Sequence, residues 1–129
     1  MTPVRRAWTG LGIGFVALVV FLSLTPNPLE VPGVEGIKLD HLAAYLWLML
    51  WFAQLYRSLA ARIGIAMAFA GLGVGLEYAQ GLTGYRYFSY ADMRDNALGV
   101  AVGFALAFTA AGGVMARLET SWQRRRSTA

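Results

Sequence analysis

Four long apolar stretches alternate with short polar ones along this chain. The first runs from Ala7 to Leu24, interrupted only by small residues, and stops at the turn-forming segment TPNPLEVPG. The second runs from Leu42 to Tyr56 and is short for a bilayer; His41 and Arg57 at its ends complete it. The third runs from Ile63 to Ala79 with one acid, Glu77, near its end, and the fourth from Ala97 to Met115 without a charge. No stretch alternates with period two, so the runs predict helices rather than barrel strands, the other backbone arrangement that satisfies its own polar groups in hydrocarbon. The expectation is an all-α integral membrane four-helix bundle in a single domain, 1–129, with helices over roughly 7–24, 41–56, 63–80 and 92–115 and outward loops over 25–40 and 81–91. The opening VRRAW resembles a signal peptide, but LSLTPNP is a poor cleavage site, and the first run is expected to stay as a helix.

Composition agrees: 57% of residues are hydrophobic and only 14% are charged, far from an ordinary soluble domain. Cysteine is absent, which excludes disulfides, thiolate metal sites and cysteine nucleophiles. The net charge of +4 would suit nucleic acid, but its placement argues against that partner. Of the eleven basic residues, eight (Arg5, Arg6, Arg57, Arg62, Arg117, Arg124, Arg125, Arg126) flank one side of the runs, against Lys38, Arg86 and Arg94 on the other. Both termini are therefore expected in the cytoplasm. Six of the seven acids, Glu30, Glu35, Asp40, Glu77, Asp92 and Asp95, fall on the outer side with Lys38 and Arg86, and only Glu119 falls inside.

Helical spacing predicts which of these groups can meet. Asp92, Asn96, Gly99 and Gly103 form one stripe at intervals of four, three and four. Glu77 and Gln80 share a face that Gly73, Ala70 and Ala66 continue, and Lys38, His41 and Tyr45 follow one another by single turns. If the small residues seal the helices together, Lys38, His41, Tyr45, Glu77, Gln80, Asp92 and Asn96 converge near the outer boundary with Arg86 above them. Gly71 and Gly75, like Gly99 and Gly103, are read as helix-packing positions through which the chain could also oligomerise. Plainer readings stand beside this one: a structural Glu77–Arg86 pair, Asp92 as a helix N-cap with Asp95 in the first turn, His41 bonded to a loop, and Tyr85, Tyr87, Phe88 and Tyr90 as an interfacial belt.

The pattern Lys38-x-x-His41-x-x-x-Tyr45, Glu77-x-x-Gln80, Arg86, Asp92-x-x-x-Asn96-x-x-Gly99-x-x-x-Gly103, with SLTP at Ser23 to Pro26, resembles the VanZ-like family of small bacterial membrane proteins over residues 20–105. The family pattern has Asp directly before the Lys; here that position is Ile37, and an acid stands at Asp40. The resemblance implies a multi-pass protein of the bacterial cytoplasmic membrane with a cell-envelope role, in a family whose founding member is associated with teicoplanin resistance; what carries over to this chain is the polar pocket, and an effect on glycopeptide susceptibility does not follow from the resemblance by itself.

Three function classes follow. In the preferred one the pocket binds the headgroup of an anionic membrane lipid or lipid-linked wall precursor: Lys38 and Arg86 meet phosphate or carboxylate, Gln80, Asn96 and Tyr45 supply uncharged hydrogen bonds, and Glu77 and Asp92 hold the basic groups. The second is an intramembrane enzyme acting on a lipid phosphate or envelope ester, with His41, Glu77 and Asp92 as catalytic candidates. The third is a scaffold assembling through glycine faces. No cofactor is expected. His41, Glu77 and Asp92 make an acceptable zinc ligand set, but Lys38 and Arg86 beside them are expected to repel an ion, so no metal is assigned.

Overall fold

The computed structural model describes residues 1–28 and 32–128, so the expected outward acid Glu30 lies outside the described residues. Five α-helices follow in order: α1 (Pro3–Leu24), α2 (Leu39–Ala53), α3 (Leu59–Leu82), α4 (Tyr90–Leu106) and α5 (Val114–Ser127), with a 3-10 turn, Ala110–Gly113, between the last two. Local chemistry explains the starts. The hydroxyl oxygens of Thr2, Ser58 and Ser89 each accept a backbone N–H of the first turn, satisfying donors that the helices of α1, α3 and α4 leave open.

Helices α1 and α3 are long and apolar enough to cross a membrane, and α4 with the segment Ala110–Ser127 makes a third span if the bent pair is counted as one. Leu18, Phe21, Ile63, Met67 and Val74 project from α1 and α3 to the outside, an outer surface suited to hydrocarbon rather than water.

The fourth apolar run does not form the single helix expected over 92–115. It stops at Leu106, turns, and the chain leaves at 72° as α5. Gly112 makes the turn: a Cβ there would collide with the Ala107 carbonyl, so only glycine lets the chain double back this closely. The basic tail becomes part of α5, where Arg126 stacks over Trp122 and the Thr2 hydroxyl donates to Glu119.

Helix α2 is the centre of the molecule. Its 15 residues span only ~22 Å at 1.5 Å per residue, short of the ~30 Å hydrocarbon core, and it is the most enclosed helix, with Tyr45, Leu48, Met49 and Ala53 in the core beside Phe69, Val100 and Ala107. Its last carbonyls find partners. Gln54 Nε2 donates to Leu50 O, Trp8 Nε1 to Trp51 O, and Arg62 Nε to Ala53 O and Tyr56 O. Arg62, counted in the sequence as one of the charges flanking the runs, is buried and lies over the Phe108 ring. Trp8 and Trp51 stack at 3.9 Å and donate to each other's carbonyls, and Met115 closes this end with Leu55.

The closest helix pairing is α2 with α4. A Cβ on Gly99 would strike the Leu42 carbonyl, and one on Gly103 would lie 2.6 Å from Leu46 O. Gly73 of α3 lies against Asn96 and Tyr45. Gly71 and Gly75, read from the sequence as packing positions, are corrected: a Cβ on either meets nothing within 4 Å, because they sit on the outward face of α3.

Backbone cannot give way as a flexible side chain can, so Gly99→Ala is expected to lower stability by about 1–3 kcal/mol, measured by unfolding in mixed micelles with increasing SDS. Gly71→Ala and Gly75→Ala should change it by no more than about 0.5 kcal/mol.

Candidate functional site

The contact of α4 with α2 sets the depth at which their polar ends meet, and α3 closes the third side. Lys38 precedes α2 as its N-cap residue, with His41 in the first turn and Tyr45 one turn further. Glu77 and Gln80 lie in the last turns of α3, and Asp92, Asp95 and Asn96 in the first turns of α4.

Asp92 is the hub. Its Oδ2 lies 2.9 Å from Lys38 Nζ and 3.3 Å from His41 Nε2, while its Oδ1 accepts the Ser89 hydroxyl at 3.0 Å. The Nδ1 of His41 lies 3.2 Å from Asp40 Oδ1, so the imidazole is held between two carboxylates. Asp92 is not the N-cap; that role falls to Ser89, whose hydroxyl oxygen accepts the N–H of Asp92, the third helical residue, as in one half of a capping box. The Ser89 backbone N–H turns instead to Glu77 Oε2 at 3.0 Å. One cap thus joins the end of α3 to the start of α4.

No Glu77–Arg86 ion pair forms among the described residues. An Arg86 terminal nitrogen donates to Thr25 O at 3.3 Å, Gln80 Nε2 to Ser23 O at 2.6 Å and the Tyr85 hydroxyl to Leu24 O at 2.6 Å. Three consecutive carbonyls at and just past the end of α1, which have no partner further along the helix, thereby fasten α1 to the end of α3 and the loop that follows it.

Asp95, read from the sequence only as a first-turn acid, is wholly buried. It accepts the Lys38 backbone N–H at 2.8 Å and the Arg94 guanidinium at 2.9 and 2.7 Å, and Arg94 also donates to Gly36 O. These bonds pin the loop leading into α2, where Glu35 and Gly36 take positive φ angles of 51° and 78°. The signal was available: Asp92, Asp95, Asn96 and Gly99 stand at the spacing of one buried helix face.

Beside this cluster lies a cavity of about 560 Å³. Lys38, His41, Tyr45, Gln80 and Arg86 line it together with Asp40, and Val19, Leu22 and Ala44 form an apolar wall. Of the eight residues expected to form a pocket, these five face the cavity, whereas Glu77, Asp92 and Asn96 form a buried layer among the helices. Two buried polar atoms, Tyr45 Oη and Asn96 Oδ1, have no hydrogen-bond partner among the described residues.

Comparison with protein-family models, curated proteins and solved structures finds no match.

The bonds to Asp95 are charge-assisted and shielded from water, so Asp95→Ala is expected to cost about 1.5–3 kcal/mol of stability. Arg94→Ala, which removes a half-exposed partner, should cost no more than about 1 kcal/mol. Both are read from the same SDS unfolding curves.

Proposed function

We propose that this chain is a VanZ-like cell-envelope protein of the bacterial cytoplasmic membrane whose outward cavity binds the anionic headgroup of a lipid or lipid-linked wall precursor. The observation that carries the reading is the chemistry of the cavity, which sets the apolar wall of Val19, Leu22 and Ala44 beside the cations Lys38 and Arg86. An amphiphile needs both surfaces at once. Arg86 spends a single side-chain hydrogen bond on Thr25 O among the described residues, and its planar fork keeps donors for a phosphate or carboxylate.

In this reading the chain crosses the bilayer four times with both termini in the cytoplasm. The short α2 is enclosed by its neighbours on most sides and leaves Trp47 exposed to lipid, and α5 lies along the inner surface. The distribution of basic residues supports that orientation, eight on the side of the termini against three on the side of the cavity. So does α5, which carries Arg124, Arg125 and Arg126 in its last turn.

A second reading, an intramembrane enzyme acting on a lipid phosphate or envelope ester, is favoured by His41. Its imidazole lines the cavity with Asp40 against one nitrogen and Asp92 against the other; in this reading one carboxylate orients the ring and the other gives way to substrate, leaving that nitrogen to act as general base.

The binding reading is tested with the full chain in nanodiscs of phosphatidylcholine doped with phosphatidylglycerol or phosphatidic acid, followed by native mass spectrometry of the retained lipid. Arg86→Lys should weaken retention of the anionic lipid about tenfold through loss of the two-pronged contact. Arg117→Lys, at the far end of the chain, should not. Undiminished retention by both Arg86→Lys and Arg86→Ala contradicts the proposal.

A further inference from the structure

His41, Glu77 and Asp92 come from three different helices, yet each offers a ligand atom within 4.8 Å of the other two. One imidazole and two carboxylates form a donor set for a divalent transition ion, and the two acids are buried. Pairs of ligands on a tetrahedral zinc lie ~3.4 Å apart at bond lengths of ~2.1 Å. A side-chain rotation of about an ångström is therefore enough to close the set.

The layer beneath these three residues supplies an independent observation. One helical turn below His41 is Tyr45, one turn below Asp92 is Asn96, and one turn below Glu77 is Gly73, whose missing side chain leaves Tyr45 and Asn96 lying side by side. Tyr45 Oη and Asn96 Oδ1 are the two buried side-chain atoms without a hydrogen-bond partner among the described residues. Tyr45 also lies within electrostatic reach of Glu77. Buried polar atoms of this kind require an explanation, and oxygen atoms flooring a metal site, bonded to its bound water, provide one.

The cations expected to repel an ion are placed otherwise. Arg86 is drawn aside to the Thr25 carbonyl. Lys38 puts its ammonium 2.9 Å from Asp92 Oδ2, the position of a cation, on a side chain that is half exposed and also lines the cavity. It is a tethered competitor for the site.

We propose that His41, Glu77 and Asp92 bind one divalent metal ion of the zinc class, that Tyr45 and Asn96 floor the site, and that the Lys38 ammonium takes the ion's place on Asp92 when the metal is absent. The two carboxylates balance the charge of the ion, and the imidazole favours zinc over magnesium or calcium, which prefer oxygen ligands alone. The site stands whether or not the cavity holds a lipid.

The test uses the full chain, carrying a tag without histidine, stripped with EDTA in detergent and titrated with Zn²⁺, Mn²⁺ and Mg²⁺ against a chromophoric chelator. One Zn²⁺ per chain should bind, at least about a hundredfold more tightly than Mg²⁺. Glu77→Gln and His41→Gln should each weaken it at least about tenfold, and Lys38→Met should tighten it several-fold. Circular dichroism identifies any variant that fails to fold, and X-ray absorption of the zinc-loaded wild type gives a second readout, in which a single imidazole is expected since His41 is the one histidine of the chain. Absence of stoichiometric zinc, zinc spectra without imidazole, or affinity unchanged in the folded His41 and Glu77 variants would overturn the site. Weaker zinc binding in Lys38→Met would overturn the role of Lys38 as competitor.

Discussion

Two glycines let the backbone of α4 lie directly on the backbone of α2, and the meeting of the polar first turns of these two helices depends on that contact. With Gly99 against Leu42 and Gly103 against Leu46, the two helices approach more closely than side chains would allow, which in hydrocarbon maximises the dispersion contacts that hold helices together. The same approach brings the first turns of α2 and α4 level. His41 then faces Asp92 across the gap, and the backbone of Lys38 reaches Asp95. Helix α3 joins through Gly73, which admits Asn96 and Tyr45, and through the Ser89 cap bonded to Glu77.

Such a cluster is costly to bury. Glu77, Asp92 and Asp95 are almost entirely withdrawn from solvent, where an unpaired carboxylate would be strongly unfavourable. Each is compensated differently: Asp95 by a backbone N–H and Arg94, Asp92 by Lys38, His41 and Ser89, Glu77 by one backbone N–H among the described residues. The first arrangement is complete and structural, since it pins a loop. The last is the least complete, and it stands next to the unpartnered Tyr45 and Asn96 atoms. Compensation is thinnest at Glu77, and an ionisable group incompletely paired among apolar helices is where a functional role is to be sought.

Hydropathy and spacing made much of this legible. The apolar runs located α1, α2 and α3 to within a few residues of their ends, and the glycine stripe at Gly99 and Gly103 marked the α2–α4 contact. The break after Leu106 was not legible, because Ala107 to Gly113 carries no charge while the chain bends by 72° there, with Gly112 packed on the Ala107 carbonyl, and hydropathy carries no information on backbone direction. Gly71 and Gly75 had the right spacing on the wrong face. The structural pair with Glu77, the plainer reading of Arg86, does not form among the described residues, because the end of α1, remote in sequence, supplies the carbonyl it binds. Arg62 and Arg94 were counted as charges; their guanidinium groups bond backbone carbonyls of other segments, which a count of charges cannot reveal.

The convergence of α2 and α4 at their polar first turns is tested most directly by solid-state NMR of the protein in lipid bilayers, with ¹⁵N-labelled histidine and ¹³C-labelled aspartate. His41 is the one histidine of the chain, so its Nε2 gives a single assignable signal. The account predicts a short-range dipolar contact between that nitrogen and a side-chain carboxyl carbon, lost in Asp92→Asn. A His41 Nε2 with no aspartate carboxyl beside it, or a contact that persists in Asp92→Asn, would contradict it.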